Sequence, residues 1–459
     1  MEETIKLTPI DLLMPRGYIR FNFHFSLTLS NQAATPTHLE LSFSRLLKEI
    51  PLLGGFIHQR EDTTLEIRLL PNHPRHSFHI RDFTKDPTAT AAQYAPVEWA
   101  IQGKADAPVS AAQANFTSDG LVLCICMHHA ITDGPGLATV VRRWSEHCHD
   151  VANSTNFAIS RPLSKECCDR TPLLNQGIEN TALTHLAEDM IKKRDAQGYD
   201  YSLLPGLAIP DMPVHIFRID EPKLAELKGS VDAYIKAVDA SKWVSTHDVL
   251  CAYLWHSISR ARARVLPALI SDAGSVEGKK TSRLITAANM RAELIPPLPA
   301  DYMGNANVHP LAKRPLKCLT STVVDALAGT AVAIRKSITD TDDAYARNLC
   351  HVIEHLPPWD VGKVNNPVCD FEAHGEYDID ITSWLTFGVR DMDWGSKLGR
   401  PGKMRRVVLP GQSGLDGRCG ILPRTSEGGM EVMVSLKEES MRALMKDEFF
   451  KGMASLGSW

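Results

Sequence analysis

Several familiar signatures are missing from this chain of 459 residues. No stretch approaches the roughly 18 consecutive apolar residues that a membrane-spanning helix requires. The N-terminus, MEETIKLTPIDLLMPRG, starts acidic and has no long apolar segment, so no secretory signal is expected. The C-terminus, ASLGSW, carries no recognisable lipidation or peroxisomal signal. Ten cysteines are scattered without regular spacing, and no CxxC pair occurs among them. A reducing, cytoplasmic setting is the expectation. Runs of basic residues interleaved with aromatics are absent and the formal net charge is −4, which argues against nucleic acid as a partner. Neither GxSxG nor GxGxxG is present, so the chain lacks the marks of a serine hydrolase and of a dinucleotide fold. The stretch GSVEGKKT at 274–281 has glycine spacing one short of a phosphate loop and reads as an exposed loop. His147-Cys148-His149-Asp150 has no second ligand pair at metal-site spacing, so no metal is expected.

What remains is the composition of an ordinary globular protein, 44% hydrophobic and 23% charged. The length suits two domains of roughly 200 residues each. In the first half, residues 18–29 alternate and read as a strand, 38–50 as a helix stopped by a glycine pair, and 64–70 as a strand. Residues 150–215 are weakly patterned and read as a crossover containing one helix at 180–193. In the second half, strands are expected at 214–219, 283–288, 379–389, 404–409, 420–423 and 429–435. Helices are expected at 223–236, interrupted at Gly229, at 245–265 and from Glu438 onward. These alternating elements predict an α/β architecture, with domains at 1–175 and 214–459 joined by a linker at 176–213.

The densest information lies at 121–137, LVLCICMHHAITDGPGL. An apolar run, in which Cys124 and Cys126 behave as small hydrophobes, ends at two histidines. Asp133 follows His129 by four residues. Gly134-Pro135-Gly136 places these residues in a loop, with a helix starting at the proline, where a missing N–H costs nothing. Leu137, Val140, Val141, Trp144 and Cys148 then share one helix face. A titratable imidazole at a strand end suits proton transfer near pH 7. Gly134 and Gly136 would let the backbone approach a ligand closely. The plainer reading has packed histidines and a turn-forming aspartate, and HxxxD alone supports both.

The rest of the chain favours the first reading. HHxxxDG resembles the active-site motif of acyltransferases related to chloramphenicol acetyltransferase and, in its doubled histidine, the condensation domains of nonribosomal peptide synthetases. Residues 243–255, WVSTHDVLCAYLW, are similar to the VSTxDxLxAxxW helix of BAHD-type (HxxxD) acyltransferases. Ala288-Asn-Met-Arg291, then PPLP at 296–299 and YMGN at 302–305, are similar to that family's R…PPLPxxYxGN stretch. Thr382-Ser-Trp384, Asp393-Trp-Gly395 and Gly399-Arg-Pro401 are similar to its TSW…DFGWGKP region. Residues 51–56 resemble its YPxxAGR turn, without the arginine. The segments stand in the family's order and resemble its fungal branch, which includes trichothecene 3-O-acetyltransferases. Trp394 replaces the motif's Phe and two residues are inserted there, a spacing like that of the fungal branch.

The resemblance implies two chloramphenicol-acetyltransferase-like α/β domains with the active-site channel between them. It implies His129 as general base, Asp133 as a structural aspartate and Arg291 as its partner. Thr382 and Trp384 would line the site near a tetrahedral intermediate, and Asp393 and Gly395 would support structure away from the chemistry. Ser245, Thr246 and, more weakly, Asn289 would contact coenzyme A. The implied co-substrate is an acyl-CoA, most simply acetyl-CoA, with a small-molecule alcohol or amine as acceptor, and one monomer would suffice for a complete site. Two alternatives stay open at this point: a condensation-type enzyme with a carrier-protein donor, and a non-catalytic relative that binds a partner.

Overall fold

The computed structural model describes residues 3–14, 17–28, 34–61, 64–70, 78–86, 88–89, 93–96, 107–174, 212–266, 280–355, 377–407, 416–424 and 429–457. The expected linker and its helix at 180–193 lie outside the described residues. The first half contributes β1 (Glu3–Lys6), α1 (Pro9–Leu13), β2 (Tyr18–Phe25), α2 (Thr35–Glu49), β3 (Phe56–Gln59), β4 (Leu65–Leu69), β5 (Phe78–Asp82), β6 (Ala107–Pro108), β7 (Ser110–Thr117), β8 (Gly120–His128) and α3 (Gly134–Asn153). The second half contributes β9 (Val214–Ile219), α4 (Glu221–Val238), α5 (Thr246–Val265), β10 (Thr281–Thr286), β11 (Ala288–Asn289), β12 (Asn307–Val308), β13 (Leu311–Pro315), α6 (Val324–Thr339), α7 (Asp343–Glu354), β14 (Ile379–Ser383), β15 (Lys403–Arg406), β16 (Arg418–Ile421), β17 (Met430–Ser435), α8 (Glu438–Met445) and β18 (Ala454–Leu456).

Every residue of β8 is buried, as its unbroken apolar run requires of a central strand covered on both faces. It lies between β2 and β7 in a sheet ordered β15-β2-β8-β7-β5. Phe21, Phe23 and Phe25 of β2 join the core formed with α2 and α3, while Cys124 and Cys126 pack on the opposite face with Ala111 and Val407. A second mixed sheet is ordered β13-β10-β14-β16-β17-β9-β18. One face of it, with Leu284, Ile379, Ile381, Cys419 and Val432, packs against α5. A small sheet, β1-β4-β3-β6, completes the N-terminal part.

Some expectations shift. Gly229 does not interrupt α4, because it is exposed and nothing presses on it. The strand expected at 379–389 ends at Ser383, and the chain turns at Gly388 with φ of 63°. The second half of the chain does not keep to itself. β15 pairs antiparallel with β2, Arg406 opposite Phe21, and so completes the first sheet. Just before it, Trp394 lies fully buried against Phe25 and Trp144 at ring separations of 5.5 Å. Burying a tryptophan removes about 150–250 Å² from water, about 4–6 kcal/mol as an upper figure. The two halves therefore share one core.

Gly395 makes this insertion possible. Its φ is +87°, and an added Cβ would stand 2.8 Å from Ala152 Cβ and 2.9 Å from the His149 Cα, near the end of α3. Gly399 also has positive φ but faces open space. Gly395→Ala is expected to cost about 2–4 kcal/mol, strain plus overlap, and Gly399→Ala about 1 kcal/mol. Thermal unfolding of the two variants checks this; equal midpoints would contradict it.

Candidate active site

The loop after β8 is fixed by hydrogen bonds at each step. His129 N donates to Gly17 O at 2.7 Å, and Ile131 N donates to His128 O at 3.0 Å. Asp133 then caps α3, its Oδ1 accepting from Gly136 N at 3.0 Å. The same carboxylate receives a two-pronged contact from Arg291, Nη2 to Oδ1 at 2.7 Å and Nη1 to Oδ2 at 3.0 Å, and a fourth hydrogen bond from Ala306 N at 2.9 Å. Both side chains are buried. Arg291 also donates to Tyr302 O and Gly304 O. A carboxylate so fully engaged acts on loop shape, not as a proton acceptor.

A second ion pair braces the same loop. Asp11, itself part of the capping box of α1, accepts from Arg170 Nε at 3.0 Å and from Asn305 Nδ2 at 2.8 Å. Asn305 Nδ2 also donates to His129 O at 2.9 Å, and Arg170 Nη2 to Ile131 O at 2.8 Å. The main chain of 129–131 is thus held by groups from both halves of the molecule.

The His129 side chain lies deep in the protein while retaining part of its surface exposed. Burial holds its pKa below the ordinary histidine value. The Arg406 charge pushes in the same direction, and nearby backbone carbonyls and Asp133 oppose it. Its Nδ1 is buried and makes no hydrogen bond. His309 responds to the same surroundings, pushed down to about 3 by burial and by His129. Both rings are therefore neutral at pH 7. The preceding residue, His128, is structural: its Nδ1 accepts from Ala130 N at 3.2 Å and the Tyr18 ring meets it edge-on.

Trp384 stands at the seam between the sheets. Phe21 meets it edge-on at 5.0 Å, Arg406 lies over its ring at 5.5 Å, and Gly420 is pressed against its far edge. Thr382 is half-buried on the adjoining strand end. Arg406 connects this group to His129, stacking on Trp384 while its charge reaches the imidazole.

Other expected residues take different work. Ser245 caps α5: its Oγ accepts from Asp248 N at 3.2 Å and from Arg335 Nη2 at 2.8 Å, and donates to Asp248 Oδ2 at 2.8 Å. Its hydroxyl is fully occupied, and Thr246 begins the helix beside it. Asn289 Oδ1 accepts from Arg291 N and Nη1, orienting the arginine. Gly134 and Gly136 make room for protein, not ligand: a Cβ would fall 2.4 Å from Phe387 Cζ at the first and 2.7 Å from Met303 O at the second. Asp393 Oδ1 accepts from Gly395 N at 2.9 Å, in the turn that meets the far end of α3. At 1.5 Å per residue, that is about 25 Å along the helix from Asp133. His147, part of the metal-like run, is bound to Glu49 Oε2 at 2.7 Å. Asp11, Arg170, His309 and Arg406 were not singled out in the sequence, though Thr8-x-x-Asp11 has the spacing of a helix-capping pair.

The family model that matches the chain defines the class of protein: an enzyme, a transferase. Residues 1–450 match the model described as Transferase family, and the chain belongs to that family, the BAHD-type acyltransferases. It is 24% identical to the O-acetyltransferase ptmV of Penicillium ochrochloron, over 97% of this chain and 95% of that one. It is 23% identical to the O-acetyltransferase pboB of Aspergillus ustus, over 96% and 95%. Among solved structures, TRI101 of F. graminearum complexed with ethyl coenzyme A superposes with a TM-score of 0.77 at 20% identity, covering 99% of this chain and 100% of that one. Vinorine synthase gives 0.62 at 18% identity, covering 96% and 95%.

Asp133→Asn removes a negative charge from a buried arginine and one partner of a four-bond cluster. A loss of about 3–5 kcal/mol is expected, read by denaturant unfolding. Unchanged stability would contradict the bracing role.

Proposed function

We propose that this enzyme transfers an acyl group, most simply acetyl, from acyl-CoA to a hydroxyl of a small secondary metabolite, with His129 as general base. The observation that carries the reading is a partly exposed imidazole whose pKa burial lowers, held by a doubly braced loop. The names of the relatives support the acetyl group and the oxygen acceptor. The TRI101 complexes, with coenzyme A and with T-2 mycotoxin or deoxynivalenol, support the two-substrate arrangement.

In this reading His129 takes the proton of the acceptor hydroxyl as its oxygen attacks the thioester carbonyl. The carbonyl electron pair moves to oxygen, and a tetrahedral intermediate forms. Thr382 has a hydroxyl without a hydrogen-bond partner among the described residues and is the donor we assign to that oxyanion, with Trp384 shaping the wall beside it. Collapse breaks the carbon–sulfur bond, and the imidazolium returns its proton to the departing thiolate, giving the ester and free CoA. Burial disfavours the imidazolium, so its lifetime is short and its proton is readily passed on. His128, the first histidine of the pair, has a structural place, and the proton transfer is assigned to His129 alone. One chain supplies the whole site.

CoA-thiol release from a panel of acyl-CoAs, with pooled alcohols and amines as acceptors, tests the reading. His129→Ala is expected to lower kcat/KM by about 10²–10⁴-fold; near-normal turnover would overturn the assignment. The pH profile gives a second test. General-base action requires neutral His129, and its pKa is lowered, so the acid limb of kcat/KM is expected to have its midpoint below the ordinary value of about 6.5. A midpoint at or above it would contradict the buried environment.

A further inference from the structure

Arg406 is a charge without a carboxylate of its own. It lies on β15 at the seam, its guanidinium over the Trp384 face at 5.5 Å. Asp380, the carboxylate that acts on it, accepts from Arg418 Nε at 2.9 Å and so is already engaged. Arg406 makes no hydrogen bond to a described residue. It is deep in the protein yet keeps part of its surface exposed, as His129 does. Burial and the like charges of Arg418 and Arg20 push its pKa down to about 10 against the pull of Asp380, which leaves it charged at neutral pH.

A guanidinium presents five donors in a planar fork that matches a carboxylate. Shielded from bulk water, such a group needs an anionic or hydrogen-bonding partner, and an indole face satisfies only part of that need. We infer that the partner comes with the substrate: the acceptor carries an anionic group, a carboxylate in the simplest case, which pairs with Arg406 while its hydroxyl faces His129. This rests on the acyl-transfer reading above. The anion belongs to the acceptor and not to the donor because Arg406 stacks on Trp384, which lines the reaction centre in that reading. The CoA phosphates, by contrast, are separated from the thioester carbonyl by the whole pantetheine arm. Pairing also has a chemical consequence. A carboxylate at Arg406 offsets the charge that depresses His129, so the correct acceptor strengthens the base that will deprotonate it.

The test uses the full-length enzyme and acetyl-CoA with cyclic and open-chain hydroxy acids, each beside its methyl ester. The wild type is expected to favour acids over their esters by at least about tenfold in kcat/KM, one charge-assisted contact being worth about that much. Arg406→Gln is expected to bring the ratio near one, with the loss in the acceptor KM and not in that of acetyl-CoA, and to move the acid limb of the ester reaction upward in pH. Arg406→Lys keeps the charge and is expected to keep part of the preference. Wild-type use of esters as readily as acids would overturn the inference, and that ratio decides the matter even where R406Q does not fold. So would an R406Q variant that keeps the preference, or one that weakens acetyl-CoA instead. If neither acids nor esters nor neutral alcohols support CoA release, the acyl-transfer reading falls and this inference with it.

Discussion

The buried pair of Asp133 and Arg291 is the contact on which the site's geometry hangs. One carboxylate gathers the first turn of α3, the segment around Ala306 and a guanidinium from the second half of the chain. Replacing such a pair with apolar groups can be neutral in stability, so its value here lies in position. It ties the strand end that bears His129 to the opposite half of the molecule, and the Asp11–Arg170–Asn305 cluster ties the same loop from a second side. The His129 main chain is firmly held while its Nδ1 bonds to no described residue, and rigid support of this kind is what the proposed general base requires.

Much of this was legible in the residues. The run before His128 could only be a central strand, and Gly134-Pro135-Gly136 could only end it and start a helix. Asp248 three residues after Ser245 announced the cap of α5. Other features were hidden for physical reasons. Arg406 stands in the strand expected at 404–409, but only the pairing of β15 with β2 shows which sheet it joins. Asp11 and Arg170 are far apart in sequence, and neither has a local pattern that reports a partner. The motif around Ser245 implied a ligand contact, and the same hydroxyl caps the helix and accepts from Arg335. A cap and a binding loop call for the same small polar residues, so sequence cannot separate them. The same holds for Gly134 and Gly136, since a glycine records that something comes close without recording what.

The two sheets differ in how their polar groups are treated. The face of the second sheet that meets α5 is apolar but for Ser282, whose Oγ accepts from Trp255 Nε1 at 2.8 Å, while its other face carries Asp380, Glu431 and Ser435, all buried. Charges in such a place are costly unless matched, and here nearly all are matched by arginines. A seam of this kind resists collapse into a dry interface and leaves polar walls between the two layers, where a substrate's own polar groups can be received.

The donation of β15 has a consequence for biosynthesis. Residues 3–153 contain the other four strands of the first sheet and both helices that cover it, yet β2 keeps a bare edge until residue 403 has emerged from the ribosome. That edge reads YIRFNFHF, aromatic on alternate positions and unguarded by proline. Exposed strands of this composition are templates for intermolecular pairing. The nascent chain must therefore carry an adhesive margin for some 250 residues of synthesis, and its yield in a cell depends on how well chaperones shield that margin until the last third of the chain arrives.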